Sequence, residues 1–323
     1  MKIIIIKFGG SSLADPGRIR RAAAMVLRER KRGFSPVAVV SAPADSTDDL
    51  LKLAALAGGN NPSLREIDAL LASGEQISAA LVALALAYEG AAAISLTGSQ
   101  AGIRTDAVFS AAAVLSVDAH RLRRELKAGR VPVVAGFQGV SPRGEITTLG
   151  RGGSDLSAVV IARALKAARC EFRTDVKGIY TAHPAIVPGA RKIKAISYEE
   201  VIRLAELGTE VRQLRAVKYA AGHRIPLHLR SSFHDEPGTM VTASGGRRGA
   251  TCLSIKKEGG CTLVSVIGRG LNKTHLAGML RAAASCGVKA DVTDFSSGAA
   301  TLRTSHAEGE VLLKALHGAF FRR

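Results

Sequence analysis

The chain has 323 residues, 47% of them apolar, and its 45 Lys and Arg against 27 Asp and Glu give a formal net charge of +18, so it is long enough for two domains and a sizeable core. Four cysteines (Cys170, Cys252, Cys261, Cys286) without CxxC spacing and eight histidines without HExxH exclude a disulfide framework or structural metal site. No stretch reads as both long and charge-free enough to span a membrane, and the N-terminus lacks a signal-peptide pattern, so the cytoplasm is the expected compartment.

The cations concentrate at residues 18–32, 121–130, 163–173 and 191–194, mostly on segments that read as helices. Tryptophan is absent, aromatics make up 4%, and no recognised binding motif occurs, all of which argue against nucleic acid. An anionic small substrate or an acidic protein partner accounts for the charge at least as well, and part of it is a solvated helix surface.

In chain order, MKIIIIKFGGSS comes first. Its isoleucine run reads as a strand covered on both faces, as in a parallel sheet, whose ligands sit beyond the carboxyl ends of the strands. Gly9 and Gly10 let backbone N–H groups approach an anion, Ser11 and Ser12 offer donors or caps, and Lys7 adds charge. A β-turn with a solvated lysine is the competing reading of these residues alone. A helix is predicted over 16–32, with Asp15 as N-cap and Pro16 in the first turn. VAVVSA is the next strand, helices follow near 48–57 and 63–88, and AAISLTG and VPVVAGFQG are further strands. SDLSAVVIARALKAA is an Ala-rich helix expected to start on a Ser-Asp cap after a glycine loop. IPLHLRSSF ends the alternation of strands and helices, and TASGGRRGA is a polar connector. A short second unit follows. CTLVSVIGRGL is a strand, KTHLAGMLRAAASCG a helix closed by Gly287, VKADVTDFSS and AATLRTS paired strands, and EGEVLLKALHGAFF a last helix. Its βαββα order fits a small ferredoxin-like module, either regulatory or simply dimerising.

Six stretches now stand in order: KFGGSS, VVSAPADSTDDL, ASGEQIS, TTLGRGGSDLSA, TDVKGIYTAHPAIVP and RSSF. Their order resembles the aspartate kinases of the amino-acid kinase family, continuously over about 1–240 and again in an ACT-type module after 260. The resemblance implies an α/β fold, the amino-acid kinase fold with a mostly parallel central sheet between helices, plus a small α+β ferredoxin-like ACT-type domain. It implies a catalytic domain over 1–235 with its nucleotide site near 170–225, a linker over 236–258 holding a remnant strand, and an ACT-like regulatory or dimerisation domain over 259–323. The implied activity is ATP-dependent phosphorylation of the side-chain carboxylate of L-aspartate, with Mg²⁺ on the nucleotide phosphates and a homodimer or higher oligomer formed through the C-terminal domain.

Bringing two anions together makes such catalysis mostly positioning and charge neutralisation. The resemblance assigns Lys7 to bridge the γ-phosphate and the attacking oxygen, and Gly9, Gly10 and Ser11 to donate to phosphate. Arg151 would clamp an amino-acid carboxylate and Glu75 would face the α-ammonium. Ser41, Thr47 and Ser154 would complete the acceptor pocket. Asp155 either holds the cationic groups or caps a helix. Thr174, Asp175 and Tyr180 would serve the nucleotide.

The nucleotide side departs from the family pattern. Lys177 and His183 replace acids, Ala185 replaces an arginine, and Glu210 stands where a lysine is usual. Two readings follow. Lys177 and Glu210 form a reversed ion pair with Arg212 or Lys218 supplying the missing charge, or the chain is a weakened homologue acting as a sensor or partner subunit. A kinase acting on a different or carrier-bound acidic amino acid is a third alternative, and it rests on the charge alone.

Overall fold

The computed structural model describes residues 1–59, 61–208, 214–246 and 248–321. The chain divides into two compact units, one made of Met1–Lys177 with Gly222–Glu236 and the other of Gly178–Ala221 with Pro237–Arg323. This differs from the boundary expected at 235, and the second unit's core gives the reason. Ala182 and Val187 are buried together with Leu253, Val264, Leu312 and Leu316, so 178–221 folds with the C-terminal segment.

The first unit begins with β1 (Lys2–Phe8), α1 (Pro16–Lys31), β2 (Phe34–Val40), α2 (Ser46–Gly58) and α3 (Leu64–Tyr88). It continues through β3 (Ala93–Leu96), β4 (Ile103–Thr105), β5 (Val114–Val117), α4 (His120–Lys127), β6 (Val131–Ala135), β7 (Gln138–Val140), β8 (Ile146–Thr148), α5 (Gly153–Leu165) and β9 (Arg169–Thr174). After the excursion into the second unit, β11 (Leu227–Ser231) returns to it. Strands β11, β9, β1, β2, β6 and β3 lie side by side in that order, all parallel. The isoleucines of β1 are buried because the strand is flanked by β2 and β9 and covered by helices, as its β-branched run implied. A smaller sheet, β5-β4-β7-β8, stands beside it.

Helix α1 starts as expected. Asp15 accepts the backbone N–H of Arg18 at 2.9 Å, and proline occupies the first turn. Helix α5 differs from expectation. Its N-cap is Gly152, in the left-handed region at φ 73°, and no side chain caps the helix. Ser154 and Asp155 therefore lie inside the first turn, buried, and Asp155 is not the cap. Helix α3 corrects the reading that no segment could span a membrane, because by length and composition it could. Its buried residues, among them Leu71, Ala79, Val82 and Leu86, make it a core helix of this unit.

The second unit contains β10 (Ala195–Ser197), α6 (Tyr198–Glu206), all but the last two residues of α7 (Leu214–His223) and β12 (Thr239–Thr242), with β10 and β12 paired in parallel. Then come β13 (Gly249–Glu258), β14 (Cys261–Arg269), α8 (Lys273–Ser285), β15 (Asp291–Phe295), β16 (Ala299–Ser305) and α9 (Gly309–Phe321). The stretch 236–258, expected as a linker, thus holds two strands. Strand β13 is a full member of the antiparallel sheet β13-β14-β16-β15, paired along its length with β14. Helix α8 is capped by Asn272, whose side chain accepts from Thr274 and His275. Helices α8 and α9 bury Met279, Leu312, Leu313 and Leu316 against Val264, Val266 and Leu302.

Candidate active site

In a sheet of parallel strands every carboxyl end opens on the same edge, which is where the loops have room to hold a ligand. The first unit gathers its unusual residues there. Strand β1 ends on Lys7 and Phe8 and passes through Gly9 into a 3-10 turn, Gly10–Leu13. The Gly9 N–H donates to the Arg173 carbonyl at the end of β9 (3.2 Å), the Ser41 N–H after β2 donates to the Phe8 carbonyl (3.2 Å), and the Ala44 N–H donates to the Gly10 carbonyl (3.1 Å). Glycine at position 10 is required by space, since a Cβ there would lie 2.8 Å from the Ala42 carbonyl oxygen. A Cβ on Gly9 would stand 3.8 Å from Lys7 Nζ, so the open side of that glycine faces the ammonium.

Lys7 is 6% exposed and points from the strand end to Asp155 on α5, with Nζ 2.8 Å from Oδ1. Among the described residues Asp155 Oδ1 has no hydrogen-bond partner besides that ion pair. Ser154, also buried, lies where a Cβ on Gly136 would touch its Cβ at 3.0 Å. Glu75 comes from the middle of α3. Gly74 allows that helix to approach the loop after β2, because a Cβ on it would be 2.8 Å from the Ala42 Cβ. Glu75 Oε1 accepts the Ala42 N–H at 2.9 Å, while its buried Oε2 has no partner among the described residues. Burial pushes the Glu75 carboxyl up to about 7, although the Ala42 N–H and the charge of Lys7 pull the other way.

The structure thus brings Lys7, Asp155, Glu75, Ser154 and the Gly9–Gly10–Ser11 loop to one edge. Ser41 and Thr47 are half-buried, at the end of β2 and in the first turn of α2. Arg151 is exposed on the glycine loop before α5. Thr174 ends β9 and its hydroxyl accepts the Val176 N–H at 3.2 Å, whereas Asp175 is exposed. Tyr180, His183 and Ala185 belong to the second unit. There Tyr180 forms a β-bridge with Lys192, and His183 and Ala185 are exposed. Lys177 pairs with Glu236 at 3.1 Å. Glu210 and Arg212 lie outside the described residues, so the reversed pair proposed for Lys177 and Glu210 does too.

A charged layer behind this edge escaped the sequence reading. Arg169, Glu171 and Arg173 alternate along β9 and so face one side, next to His228 and Arg230 on β11. Glu171 Oε1 lies 2.5 Å from Arg173 Nη2, and its other oxygen lies 3.4 Å from His228 Nδ1. Burial alone would raise the Glu171 carboxyl, but His228, Arg173 and Arg230 outweigh it and hold it down at about 2. Arg173 also donates to the Ser231 carbonyl at 3.1 Å, tying the ends of β9 and β11 together, and the Ser12 and Ser232 hydroxyls meet at 2.7 Å. The alternation RCEFRT was the available signal, since charges with period two are out of place in a buried strand.

Comparison with known proteins bears on the family and the fold. Residues 2–231 match the model of the amino acid kinase family. An aspartokinase of Geobacillus stearothermophilus is 43% identical over 99% of this chain and 80% of its own length. One of Mycolicibacterium smegmatis is 49% identical over 76% of this chain and 58% of its own length. The chain therefore spans 58% to 80% of the length of these relatives. In fold it is similar to Escherichia coli aspartokinase III in complex with aspartate and ADP, at a TM-score of 0.82, 22% identity and coverage of 99% and 100% of the two chains. None of these similarities supports the alternative of a catalytically weakened homologue.

Proposed function

The chain belongs to the amino acid kinase family, among its aspartokinases, and on that premise we propose that it transfers the γ-phosphoryl group of ATP to the side-chain carboxylate of L-aspartate, forming 4-phospho-L-aspartate. The observation that carries this reading is the buried Lys7–Asp155 pair beside the partnerless oxygen of Glu75, on the edge where the Gly9–Gly10 loop opens. A buried carboxylate oxygen left without a donor costs about 1–3 kcal/mol, and the α-ammonium of an amino acid is the donor that would satisfy it. Arg151 then clamps the α-carboxylate, while Ser41, Thr47 and Ser154 supply hydrogen bonds. Lys7, held by Asp155, neutralises the charge shared by the attacking carboxylate and the γ-phosphate. Gly10 and Ser11 supply N–H donors to the phosphates, whereas the Gly9 N–H, expected to join them, is taken by the Arg173 carbonyl and Gly9 contributes its lack of bulk beside Lys7. Thr174 and Asp175 are assigned to the nucleotide, as is Tyr180 by its place in the sequence pattern.

Mg²⁺ fits this arrangement as an ion carried in on the triphosphate. Among the described residues no three His, Cys, Asp or Glu are grouped to hold a metal of their own, and phosphate oxygens with water are its customary ligands. When bound, it offsets phosphate charge. We also place self-association in the C-terminal module, where β15 is an edge strand with all five residues exposed.

Hydroxylamine trapping tests the reaction. With ATP, Mg²⁺ and aspartate the protein should form aspartyl hydroxamate continuously. Absence of hydroxamate at micromolar protein, with aspartate and ATP both bound by calorimetry, overturns the proposal.

A further inference from the structure

Asp68 is a buried acid to which phosphoryl transfer, as derived above, gives no part. It stands on α3 two turns before Glu75, and the spacing of seven residues puts both side chains on the buried face of that helix. Asp68 is 0% exposed, and neutral groups of two residues hold its oxygens. The Thr148 N–H donates to Oδ2 at 2.7 Å and the Thr148 hydroxyl to Oδ1 at 2.8 Å. The Ser110 N–H is shared between Oδ1 at 3.0 Å and Oδ2 at 2.9 Å, and the Ser110 hydroxyl donates to Oδ1 at 3.2 Å. Packing does not ask for an acid here, since an apolar side chain would cover the core as its neighbours Ile67 and Leu71 do. What the carboxylate adds is a pair of acceptors for two backbone N–H groups at once.

The residues that donate show what the clamp holds. Thr148 is the last residue of β8, three residues before Arg151. Its carbonyl accepts the Ala112 N–H at 2.9 Å, so its N–H, hydroxyl and carbonyl are all engaged. Ser110 lies in the left-handed region at φ 66° without being a glycine, a conformation that persists only where its surroundings fix it. Beyond Thr148 the Leu149 N–H donates to the Phe137 carbonyl at 2.8 Å, and the Gly153 N–H donates to the Gly150 carbonyl at 2.9 Å. The glycine loop that carries Arg151 is thus rooted at Thr148 on one side and in the first turn of α5 on the other.

Glu75 and Arg151 are assigned to the ammonium and the carboxylate of one α-carbon. Their separation has to match a single small ligand. Helix α3 carries Glu75 directly and, through Asp68, the root of the Arg151 loop. We propose that Asp68 is a positioning residue for the acceptor amino acid, setting the reach of Arg151 relative to Glu75 by clamping Thr148 to α3. The inference rests on aspartate being the acceptor, and it gives a role to a residue that touches neither substrate.

A double-mutant cycle on the full chain tests it, read as the aspartate KM in the hydroxamate assay. Arg151→Ala should raise that KM roughly tenfold to a hundredfold, as loss of a charged hydrogen bond does. Asp68→Ala should raise it on the same scale, leave the KM for ATP within about twofold, and add no more than about twofold once Arg151 is already alanine. Asp68→Asn should recover most of the loss, because its amide keeps one oxygen for both backbone N–H groups and can donate to the two hydroxyls. Factors that multiply in the double variant, an equal rise in the KM for ATP, or an unchanged aspartate KM in folded Asp68→Ala each overturns the proposal. If Asp68→Ala does not fold, Thr148→Val, which removes only the hydroxyl donor, replaces it in the cycle. It should raise the aspartate KM several-fold alone and not at all beside Arg151→Ala, and any other pattern overturns the proposal. A wild type that forms no hydroxamate sinks the reaction instead, and the same cycle is then read in the calorimetric Kd for aspartate. A wild type that neither reacts with aspartate nor binds it overturns both.

Discussion

Glu75 is costly to keep in the empty protein, and that cost is readable in its titration. An ordinary carboxyl ionises near 4.5, whereas this one is pushed up to about 7. As pH rises from 4.5 to 7 the unfolded chain gives up this proton first, so the folded state loses stability across that window and is destabilised by about 3 kcal/mol above it. Glu75→Gln should therefore stabilise the ligand-free protein at pH 8, visible as a higher midpoint in urea, while raising the aspartate KM by tenfold or more. In the wild type the aspartate KM should rise toward tenfold per pH unit below 7, because the protonated carboxyl no longer attracts an ammonium. The glutamine variant should lose that slope. Lys7→Met should lower kcat by about a hundredfold to a thousandfold, the scale on which a transition-state charge contact acts. The hydroxamate assay reads that loss directly. Lys7 was legible in the sequence because it is a charge closing an apolar strand, and Glu75 because ASGEQIS belongs to the pattern that resembles the aspartate kinases. The partners that define them were not. Nothing local in the chain says that Ala42 donates to one oxygen of Glu75, or that Asp155 lies inside the first turn of α5 and not at its cap.

Elements with a clear period were legible, and short ones were not. The isoleucine strand, the Asp15-capped helix, the long α3 and the C-terminal helices all carry enough repeats to declare themselves. Strands β4, β7 and β8 have three residues each, too few to show an alternation, so the small sheet could not be read. Strand β9 shows the opposite difficulty. Its alternating charges look like those of a surface strand, yet Glu171 and Arg173 are buried because each neutralises the other. Glu171 titrates at about 2 in the fold, below its ordinary range, so its contribution is complete above pH 4.5 and disappears as pH falls toward 2. Glu171→Gln should cost about 3–5 kcal/mol at neutral pH by leaving Arg173 without its counter-charge. The gap between variant and wild type should narrow in acid, a trend that chemical denaturation at pH 7 and pH 3.5 would expose. Gly10→Ala should disturb the loop more than the fold, because the added methyl meets the backbone carbonyl of Ala42. Its KM for ATP should rise several-fold with little change in thermal midpoint.

Across the whole molecule, ligand effects should follow the two compact units. Aspartate at a hundred times its Kd supplies about 2.7 kcal/mol to the state that binds it. Hydrogen exchange should slow by up to about a hundredfold in peptides from 1–177 and 222–236, and much less in β13 to β16. The net charge of +18 should also speed capture of both anionic ligands, so kcat/KM should fall as salt screens the field. The chain crosses from one unit to the other three times, and composition gave no hint of the first two crossings, since residues 178–221 look like more of the same α/β alternation. That threading bears on any attempt to dissect the protein. A fragment ending at 235, where the polar connector invites a cut, would keep Ala182 and Val187 but discard the strands and helices that cover them. Such a piece should come out of cells insoluble, and co-expression with the missing tail should bring it back into solution.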